Sequence, residues 1–350
     1  INLARPPEMT RAKQVGRTTA IQIVRHGRPE VLAERNVVLA DPGPDEVHVR
    51  VLAAGVNFAD LLMRAGLYGT VPPMPYSPGF EIAGEVARVG SAVEEWKKGD
   101  KAVAIARYGG YAHDLVLPAA QLFPYPDTLT PEQAAAIPVV FLTAWVCLFN
   151  AGNANPGETA LVLGAGGGVG TAAVQLARRH GLRVVGTAGT NRKREYVVEE
   201  LGADSCFDSR SDWEDDVRGL VGKRGIDIAL DPVGGKATLA CKRLLAPLGR
   251  LVFYGMSEAM PRRKRSWPSA ALAWLRTPRI HPLSLVQPNI GVFGVHLLHL
   301  QAKESILKPA MESIFEGVLS GELRAVLDRG FPLSRDGAVE AHKYLHSREN

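Results

Sequence analysis

The pattern of apolar and polar positions changes near Pro131. Between Thr19 and Gln121, short segments alternate apolar and polar residues and are broken by Gly and Pro, as at residues 46–53, 81–89 and 101–105. Alternation with a period of two and frequent turns predicts antiparallel strands in a small barrel or sandwich. This part of the chain is therefore predicted to form a mainly β domain.

From Pro131 onward, helical patterns alternate with short apolar runs. A proline at the first helical position favours a helix that begins at Pro131. Strands are predicted at residues 159–163, 183–187, 205–207, 226–230 and 250–254. Because helical pattern separates each strand from the next, the sheet is predicted to be parallel and doubly wound. Further helices are predicted over residues 304–320 and from Asp336.

A glycine-rich turn follows the first of these strands. The run from Ala160 to Ala177 is typical of an apolar strand, a turn and an amphipathic helix in succession. Ala165, Gly167 and Gly170 fill the G/A-x-G-x-x-G fingerprint of a Rossmann-type fold, in which a dinucleotide pyrophosphate lies at a helix N-terminus. The turn is also compatible with plain helix–strand packing in another α/β protein. The predicted fold class is α/β, with a Rossmann-type doubly wound parallel sheet and a barrel-like, mainly β domain.

The end of the second strand of this sheet indicates which dinucleotide binds. An NAD site places a carboxylate there, about 20 residues past the fingerprint, to bind the ribose hydroxyls. Here no carboxylate ends the strand, and Arg192 and Lys193 follow it. Because cations can pair with a 2′-phosphate, the predicted cofactor is NADPH. The alternative is an ordinary solvated first turn of a helix.

Composition narrows the class of protein. The chain has 350 residues, 46% of them hydrophobic, which is enough for two domains with full cores. The 41 basic and 36 acidic residues are scattered apart from Arg262–Arg265, so no nucleic-acid partner is expected. The three cysteines lie too far apart in sequence to form a metal cluster. With no secretory signal, a cytoplasmic location is expected, and residues 1–18 are predicted to be a flexible leader.

Several short motifs resemble one superfamily. They are Gly55-Val-Asn-Phe-Ala-Asp-Leu-Leu, Pro78-Gly-Phe-Glu-Ile-Ala-Gly-Glu-Val, Gly99-Asp-Lys-Ala-Val and Gly167-Gly-Val-Gly. In this order they resemble the medium-chain dehydrogenase/reductase superfamily, in its zinc-independent quinone oxidoreductase branch. Residues 57–68, 231–235 and 254–256 are most similar to the vesicle amine transport protein family within that branch.

The resemblance implies a domain organisation. A GroES-like catalytic domain is expected at residues 19–138 and 295–350, and a Rossmann nucleotide-binding domain at residues 139–294. The second domain would carry a basic, Trp-containing insertion at residues 257–282. Relatives are commonly homodimers through edge strands of the nucleotide domain, so a homodimer is expected.

The resemblance also implies that no metal is bound. Zinc alcohol dehydrogenases of the superfamily carry Cys where this chain has Asn57, and His where it has Phe80. An amide and a phenyl ring cannot replace thiolate and imidazole as zinc ligands. Without a Lewis acid the hydride acceptor must already be electron-poor, as a quinone, an enone or an enoyl thioester is.

Candidate site residues follow from the motifs and from the resemblance. Asn57, Tyr68 and Thr143 are the predicted catalytic residues, although a turn, a packing and an intrahelical role are the respective alternatives. Asp60 is expected to orient the helix that follows it. Relatives often place a tyrosine near the 2′-phosphate, where this chain has Ser209. The predicted cofactor-binding residues are Ala165, Gly167, Gly168, Val169, Gly170, Gly186, Thr187, Arg192, Lys193, Ser209, Val233, Tyr254, Gly255, Phe293, Gly294 and Val295.

Three functions remain open from the sequence. The first is an NADPH-dependent, zinc-independent reductase of a quinone or another electron-poor carbonyl compound. The second is an enoyl reductase acting on an unsaturated thioester or ketone. The third is a lipid- or membrane-associated protein that retains NADPH as a structural ligand, since residues 261–280 combine basic charge with an apolar, Trp-bearing helical pattern. That segment could equally form a lid or a dimer interface, and a solvated loop with one buried face is the favoured interpretation.

Overall fold

A computed structural model describes residues 14–69, 71–257, 280–301 and 303–347. The chain divides into two compact units. The first comprises the chain up to Ala135 together with Arg329–His346, and the second runs from Ala136 to Asp328.

The first unit is built on antiparallel strands, as predicted. Its strands are β1 (Gln14–Ile23), β2 (Leu32–Ala40), β3 (Glu46–Ala54), β4 (Glu81–Val89), β5 (Lys101–Ile105), β6 (Asp114–Pro118) and β7 (Leu122–Pro124). β1 and β2 form a two-stranded ribbon, and the other five form one sheet in the order β6-β3-β4-β5-β7. Val47, Val49 and Val51 alternate along β3 and enter one apolar core with Ile82 and Val86 of β4. Alternation in the sequence therefore corresponds to one buried face.

The second unit is a parallel sheet of six strands. They are β8 (Thr159–Val162), β9 (Arg183–Ala188), β10 (Ser205–Asp208), β11 (Ile226–Asp231), β12 (Leu245–Phe253) and β13 (Gly291–Gly294). Their order is β10-β9-β8-β11-β12-β13, and every neighbouring pair is parallel. The chain enters in the middle, winds outward, and returns to β11 on the other side of β8. This is the doubly wound arrangement predicted from the sequence, and its strand order reverses between β8 and β11.

The described part of the chain contains ten α-helices. They are α1 (Phe58–Ala65), α2 (Pro131–Ala135), α3 (Pro138–Trp145), α4 (Gly168–Arg179), α5 (Asn191–Glu195), α6 (Trp213–Val221), α7 (Lys236–Leu244), α8 (Leu283–Val286), α9 (Glu304–Leu319) and α10 (Arg335–Ser347). α3 and α5 continue as π-helical turns over Val146–Ala151 and Tyr196–Glu200. By length and composition Pro131–Ala151 is apolar enough to cross a membrane, but most of it is buried inside the protein, as in the core helix of a globular domain.

The described structure differs from the expected boundaries at two places and contains one strand that was not predicted. Residues 14–18 belong to strand β1 and not to a leader, while residues 1–13 lie outside the described part. The first unit resumes at Arg329 and not at Val295, because α9 packs against α3 and extends the second unit to Asp328. β13 was not predicted as a strand, since Gly291–Gly294 is too short and glycine-rich to show alternation.

A buried polar contact holds the C-terminal helix to the first unit. His342 of α10 is fully buried, and its Nε2 lies 3.3 Å from the Tyr111 hydroxyl. Arg64 of α1 is also buried and donates from Nη1 to the carbonyl of Gly27 at 3.0 Å. Burial, assisted by the charge of Arg64, lowers the pKa of His342 to about 3. The imidazole is therefore neutral in the folded protein at neutral pH.

The close packing of α4 on β8 depends on a missing side chain. A Cβ at Gly170 would lie 2.2 Å from the carbonyl oxygen of Gly164 and 2.7 Å from the Cα of Ala165. Both neighbours are backbone atoms, which cannot rotate away. A Cβ at Gly167 would meet the same carbonyl at 3.4 Å, which is an ordinary contact. Only one of the two fingerprint glycines is thus required for packing.

Replacing Gly170 with Ala should lower the free energy of unfolding by about 1–3 kcal/mol or more, the range for overpacking a tight contact. Gly167→Ala is the matched control and should lower it by less than about 1 kcal/mol, the cost of alanine at an N-cap. Urea unfolding followed by circular dichroism measures both. Equal stability of the two variants would contradict the packing argument.

Replacing His342 with Phe should change how stability depends on pH. The unfolded histidine takes up a proton below pH 6.5 or so, whereas the folded one does not until about pH 3. The stability that the neutral imidazole contributes is complete above the unfolded pKa and is lost as the pH falls. Relative to the variant, the wild type should therefore lose about 1.4 kcal/mol per pH unit below pH 6. Urea unfolding between neutral and mildly acid pH measures the difference. Parallel pH curves would contradict it, and His113→Phe, at an exposed position, is the control.

Candidate functional site

The glycine-rich turn joins β8 to α4 at the carboxyl edge of the parallel sheet. The N–H of Ala165 donates to the carbonyl of Thr187 at 2.8 Å, which ties the turn to the end of β9. α4 begins at Gly168, so the N–H groups of Gly168 and Val169 precede the first intrahelical hydrogen bonds. These donors and the positive end of the helix dipole suit a bound anion.

The end of β9 lies directly beside this turn. A Cβ at Gly186 would lie 2.9 Å from the Cβ of Ala165 and 3.2 Å from the sulfur of Cys206, so only glycine fits there. The aliphatic stem of Lys193 covers Gly166, with three of its carbons 3.0–3.3 Å from where a Cβ of that glycine would be. This contact places the lysine at the rim of the turn. Burial lowers the pKa of Lys193, while the carboxylate of Asp328 acts in the opposite direction.

Further cations surround the ends of β9 and β10, and two carboxylates accompany them. Asp208 ends β10 and pairs with Arg194 at 3.2 Å and with Arg210 at 3.1 Å. Hydrogen bonds from Arg210 lower the pKa of Asp208 to about 2. Arg192 approaches Asp328 at 3.8 Å. The predicted Ser209 follows Asp208, and its hydroxyl lies 3.6 Å from where a Cβ of Gly189 would be.

The loops after β11, β12 and β13 complete this edge. Asp231 is fully buried and accepts from the N–H of Val233 at 2.7 Å and from the hydroxyl of Thr238 at 2.5 Å. Tyr254 donates its N–H to the carbonyl of Asp231, and Val295 donates to that of Phe253. The predicted residues Val233, Tyr254, Gly255, Phe293, Gly294 and Val295 therefore lie at the same sheet edge as the glycine-rich turn.

Thr143 lies on α3, which packs beside α4. It is buried, with 8% of its surface exposed. Val140, one turn earlier on the same helix, has a methyl group 3.0 Å from where a Cβ of Gly168 would be. The structure thus places the helix that carries Thr143 next to the N-terminus of α4.

In the first unit, Asn57 precedes α1 and is held by two carboxylates. Its side-chain Nδ2 donates to Oε1 of Glu81 at 2.7 Å, and its backbone N–H donates to Oδ2 of Asp60 at 2.8 Å. The other oxygen of Asp60 accepts from the N–H of Gly79 at 2.8 Å. Asp60 therefore orients the start of α1, as predicted. Glu81 was not predicted as a site residue. Its position directly after Phe80, at the start of the strand pattern over residues 81–89, was the signal in the sequence that could have identified it.

The pKa values around Asn57 are set mainly by burial. Burial raises the pKa of Asp60 to about 7, although hydrogen bonds from Asn57, Gly79 and Tyr111 act against it. Burial, together with the charge of Asp60, raises the pKa of Tyr68 to about 12. The ring of Tyr68 lies 5.5 Å from that of Phe80. Asn57 and Tyr68 thus both contact the Gly79-Phe80-Glu81 segment. Tyr68 stays protonated at neutral pH.

The two positions at which zinc alcohol dehydrogenases carry Cys and His have different surroundings here. Asn57 donates to Glu81, and Phe80 is buried beside them with 2% exposure. Among the described residues, no group of three or more His, Cys, Asp or Glu side chains is arranged to hold a metal ion.

Protein-family models match both units. The alcohol dehydrogenase GroES-like domain matches residues 43–127, and the zinc-binding dehydrogenase family matches residues 168–289. The synaptic vesicle membrane protein VAT-1 homolog of Rattus norvegicus is 35% identical over 321 residues, which cover 91% of this chain and 78% of that protein. Quinone oxidoreductase of the same organism is 30% identical over 332 residues, 94% of each chain.

The comparison with solved structures agrees. The Escherichia coli quinone oxidoreductase complexed with NADPH superimposes with a TM-score of 0.81 at 29% identity, over 95% of this chain and 97% of that one. A Pseudomonas syringae quinone oxidoreductase gives a TM-score of 0.84 at 30% identity, with the same coverage. The protein belongs to the quinone oxidoreductase branch of the medium-chain dehydrogenase/reductase superfamily, near the VAT-1 homologs.

Proposed function

We propose that this oxidoreductase uses NADPH to reduce quinones or other electron-poor carbonyl compounds without a zinc ion. The observation that carries the proposal is the carboxyl end of β9. No carboxylate follows that strand, and Lys193 packs on the glycine-rich turn with Arg192 beside it in sequence. A carboxylate there would bind the ribose hydroxyls of NAD and repel a 2′-phosphate, whereas two cations attract the phosphate.

The residues present fit a phosphorylated dinucleotide. Gly167 leaves space at the start of α4 for the approach of a pyrophosphate, and the N–H groups of Gly168 and Val169 supply donors. Lys193 and Ser209 flank the end of β9, where the adenosine ribose and its 2′-phosphate would bind. The related Escherichia coli enzyme is known as a complex with NADPH.

The groups about Asn57 fit the handling of an acceptor oxygen. The bound nicotinamide would supply the hydride. Glu81 takes one N–H of the Asn57 amide and so fixes its orientation. The other amide groups of Asn57 are then preset for a ribose hydroxyl or an acceptor oxygen. Since burial raises the pKa of Tyr68 to about 12, its hydroxyl is protonated at neutral pH and can donate a hydrogen bond to developing negative charge.

Independence from zinc is proposed on the chemistry of the side chains. Neither an amide nor a phenyl ring replaces the thiolate and imidazole ligands of a tetrahedral zinc site. The carboxylate of Glu81, next to Phe80 in sequence, accepts a hydrogen bond from the Asn57 amide. The acceptor must then be reactive toward hydride without a Lewis acid, which favours quinones and conjugated carbonyl compounds.

An enoyl reductase is the second candidate, and Tyr68 is the side chain proposed to supply the proton that this reaction needs at the carbon next to the carbonyl group. The membrane-associated alternative depends on residues 261–280, of which only Ile280 lies within the described part.

We also propose a homodimer. β13 is an edge strand of the six-stranded sheet. Three apolar side chains that precede it in sequence are at least 70% exposed, namely Leu248, Leu283 and Val286.

Lys193→Ala should weaken NADPH binding about 10- to 100-fold, the loss expected for one charge-assisted contact to phosphate. NADH binding should change by less than about threefold, because NADH lacks the 2′-phosphate. Titration of nicotinamide fluorescence measures both dissociation constants. Lys223→Ala, at an exposed site that precedes β11, is the matched control. Equal losses for the two dinucleotides would contradict the proposed role of Lys193.

Tyr68→Phe should lower turnover of the acceptor about 10- to 100-fold, since it removes only the hydroxyl that donates. Nicotinamide absorbance measures the turnover. Unchanged turnover in the variant would assign Tyr68 to packing.

The wild type should reduce a naphthoquinone faster than a crotonyl thioester, and treatment with a zinc chelator should leave both rates unchanged. Nicotinamide absorbance measures these rates as well. Stoichiometric zinc in the purified protein would overturn zinc independence. No turnover in a broad acceptor panel would favour a structural role for NADPH.

A further inference from the structure

The cations at the end of β9 differ in how firmly they are held. Arg194 pairs with Asp208 at 3.2 Å and also contacts the carbonyl of Ala188 and the side chain of Asn191. Arg210 forms two hydrogen bonds with Asp208, each 3.1 Å long. These two guanidinium groups are therefore committed to structural contacts within the second unit.

Arg192 and Lys193 are held differently. The Arg192 side chain is 77% exposed, and its guanidinium approaches Asp328 at 3.8 Å, the outer limit of an ion pair. The negative charge of Asp328 also acts on Lys193, where it raises the pKa of the lysine against the effect of burial. One aspartate thus faces the two cations on which the proposed recognition of NADPH depends. Its side chain is 38% exposed, so it can turn toward solvent.

We propose that Asp328 sets the preference between NADPH and NADH by competing with the 2′-phosphate for Arg192 and Lys193. This inference rests on the proposed use of NADPH. A phosphate dianion makes more and shorter hydrogen bonds to a guanidinium than a carboxylate 3.8 Å away does. The dinucleotide phosphate therefore displaces Asp328, and the work of displacement weakens NADPH binding without affecting NADH.

The sequence position of Asp328 adds a structural consequence. It is the last residue of the second unit before the chain passes to the first unit at Arg329. A 2′-phosphate that takes over Arg192 thus releases a contact at the point where the chain leaves the nucleotide-binding unit. NADH, which has no such phosphate, leaves that contact in place.

The test measures binding of 2′,5′-ADP and of 5′-AMP by isothermal titration calorimetry to the full chain. Asp328→Asn removes the charge and keeps the shape. It should bind 2′,5′-ADP about three- to fivefold more tightly at low salt, the size of one exposed ion pair, and 5′-AMP unchanged. The gain should disappear near 0.5 M salt, where charges on the surface are screened. Asp328→Glu and Asp127→Asn, the latter from an exposed pair with Lys101, should behave as wild type.

Each other outcome decides the question. Unchanged or weaker binding of 2′,5′-ADP by Asp328→Asn, or an equal gain for 5′-AMP, overturns the competition. If the wild type does not prefer 2′,5′-ADP to 5′-AMP, the proposed use of NADPH fails. In that case, a preference that appears only in Asp328→Asn still supports the competition, and no preference in either protein removes both proposals.

Discussion

The approach of α4 to β8 leaves no room for a side chain at Gly170, where a Cβ would lie 2.2 Å from the carbonyl oxygen of Gly164. That contact fixes where the helix begins relative to the carboxyl edge of the sheet. The N–H groups of the first turn and the positive end of the helix dipole are then aimed at one place. The end of β9 is tied to the same turn through Ala165 and Thr187. The proposed binding residues of the glycine-rich turn and of the end of β9 are positioned from this starting point.

Charge is arranged differently around Asn57 and at the ends of β9 and β10. Close to Asn57, the buried carboxylate of Asp60 accepts hydrogen bonds from two backbone N–H groups. Burial raises the pKa of Asp60 and lowers that of His342, so it disfavours the charged form of each. At the ends of β9 and β10, cations and carboxylates meet at a partly exposed sheet edge, where a single ion pair contributes little to stability.

Asn57 stands where zinc alcohol dehydrogenases carry a thiolate ligand, and its amide donates a hydrogen bond to the neighbouring carboxylate of Glu81. The Asn57–Glu81 pair is thus a polar contact that holds Asn57 in one orientation. In the proposed function, Asn57 would orient the acceptor and donate a hydrogen bond to it, which suits substrates that need no further polarisation.

The sequence by itself determined the fold class, the strands β4 and β5, the glycine-rich turn and the lack of a carboxylate after β9. These features depend on residue types at fixed short spacings, where periodicity and backbone geometry act locally. It did not determine where the chain returns to the first unit, the strand β13, the hydrogen bond of Glu81 to Asn57, or the approach of Asp328 to Arg192. Only the tertiary structure decided these, because each depends on which distant segments pack together. Arg192 and Asp328, for example, are more than a hundred residues apart in sequence and meet through the packing of α9 on α3 within the second unit.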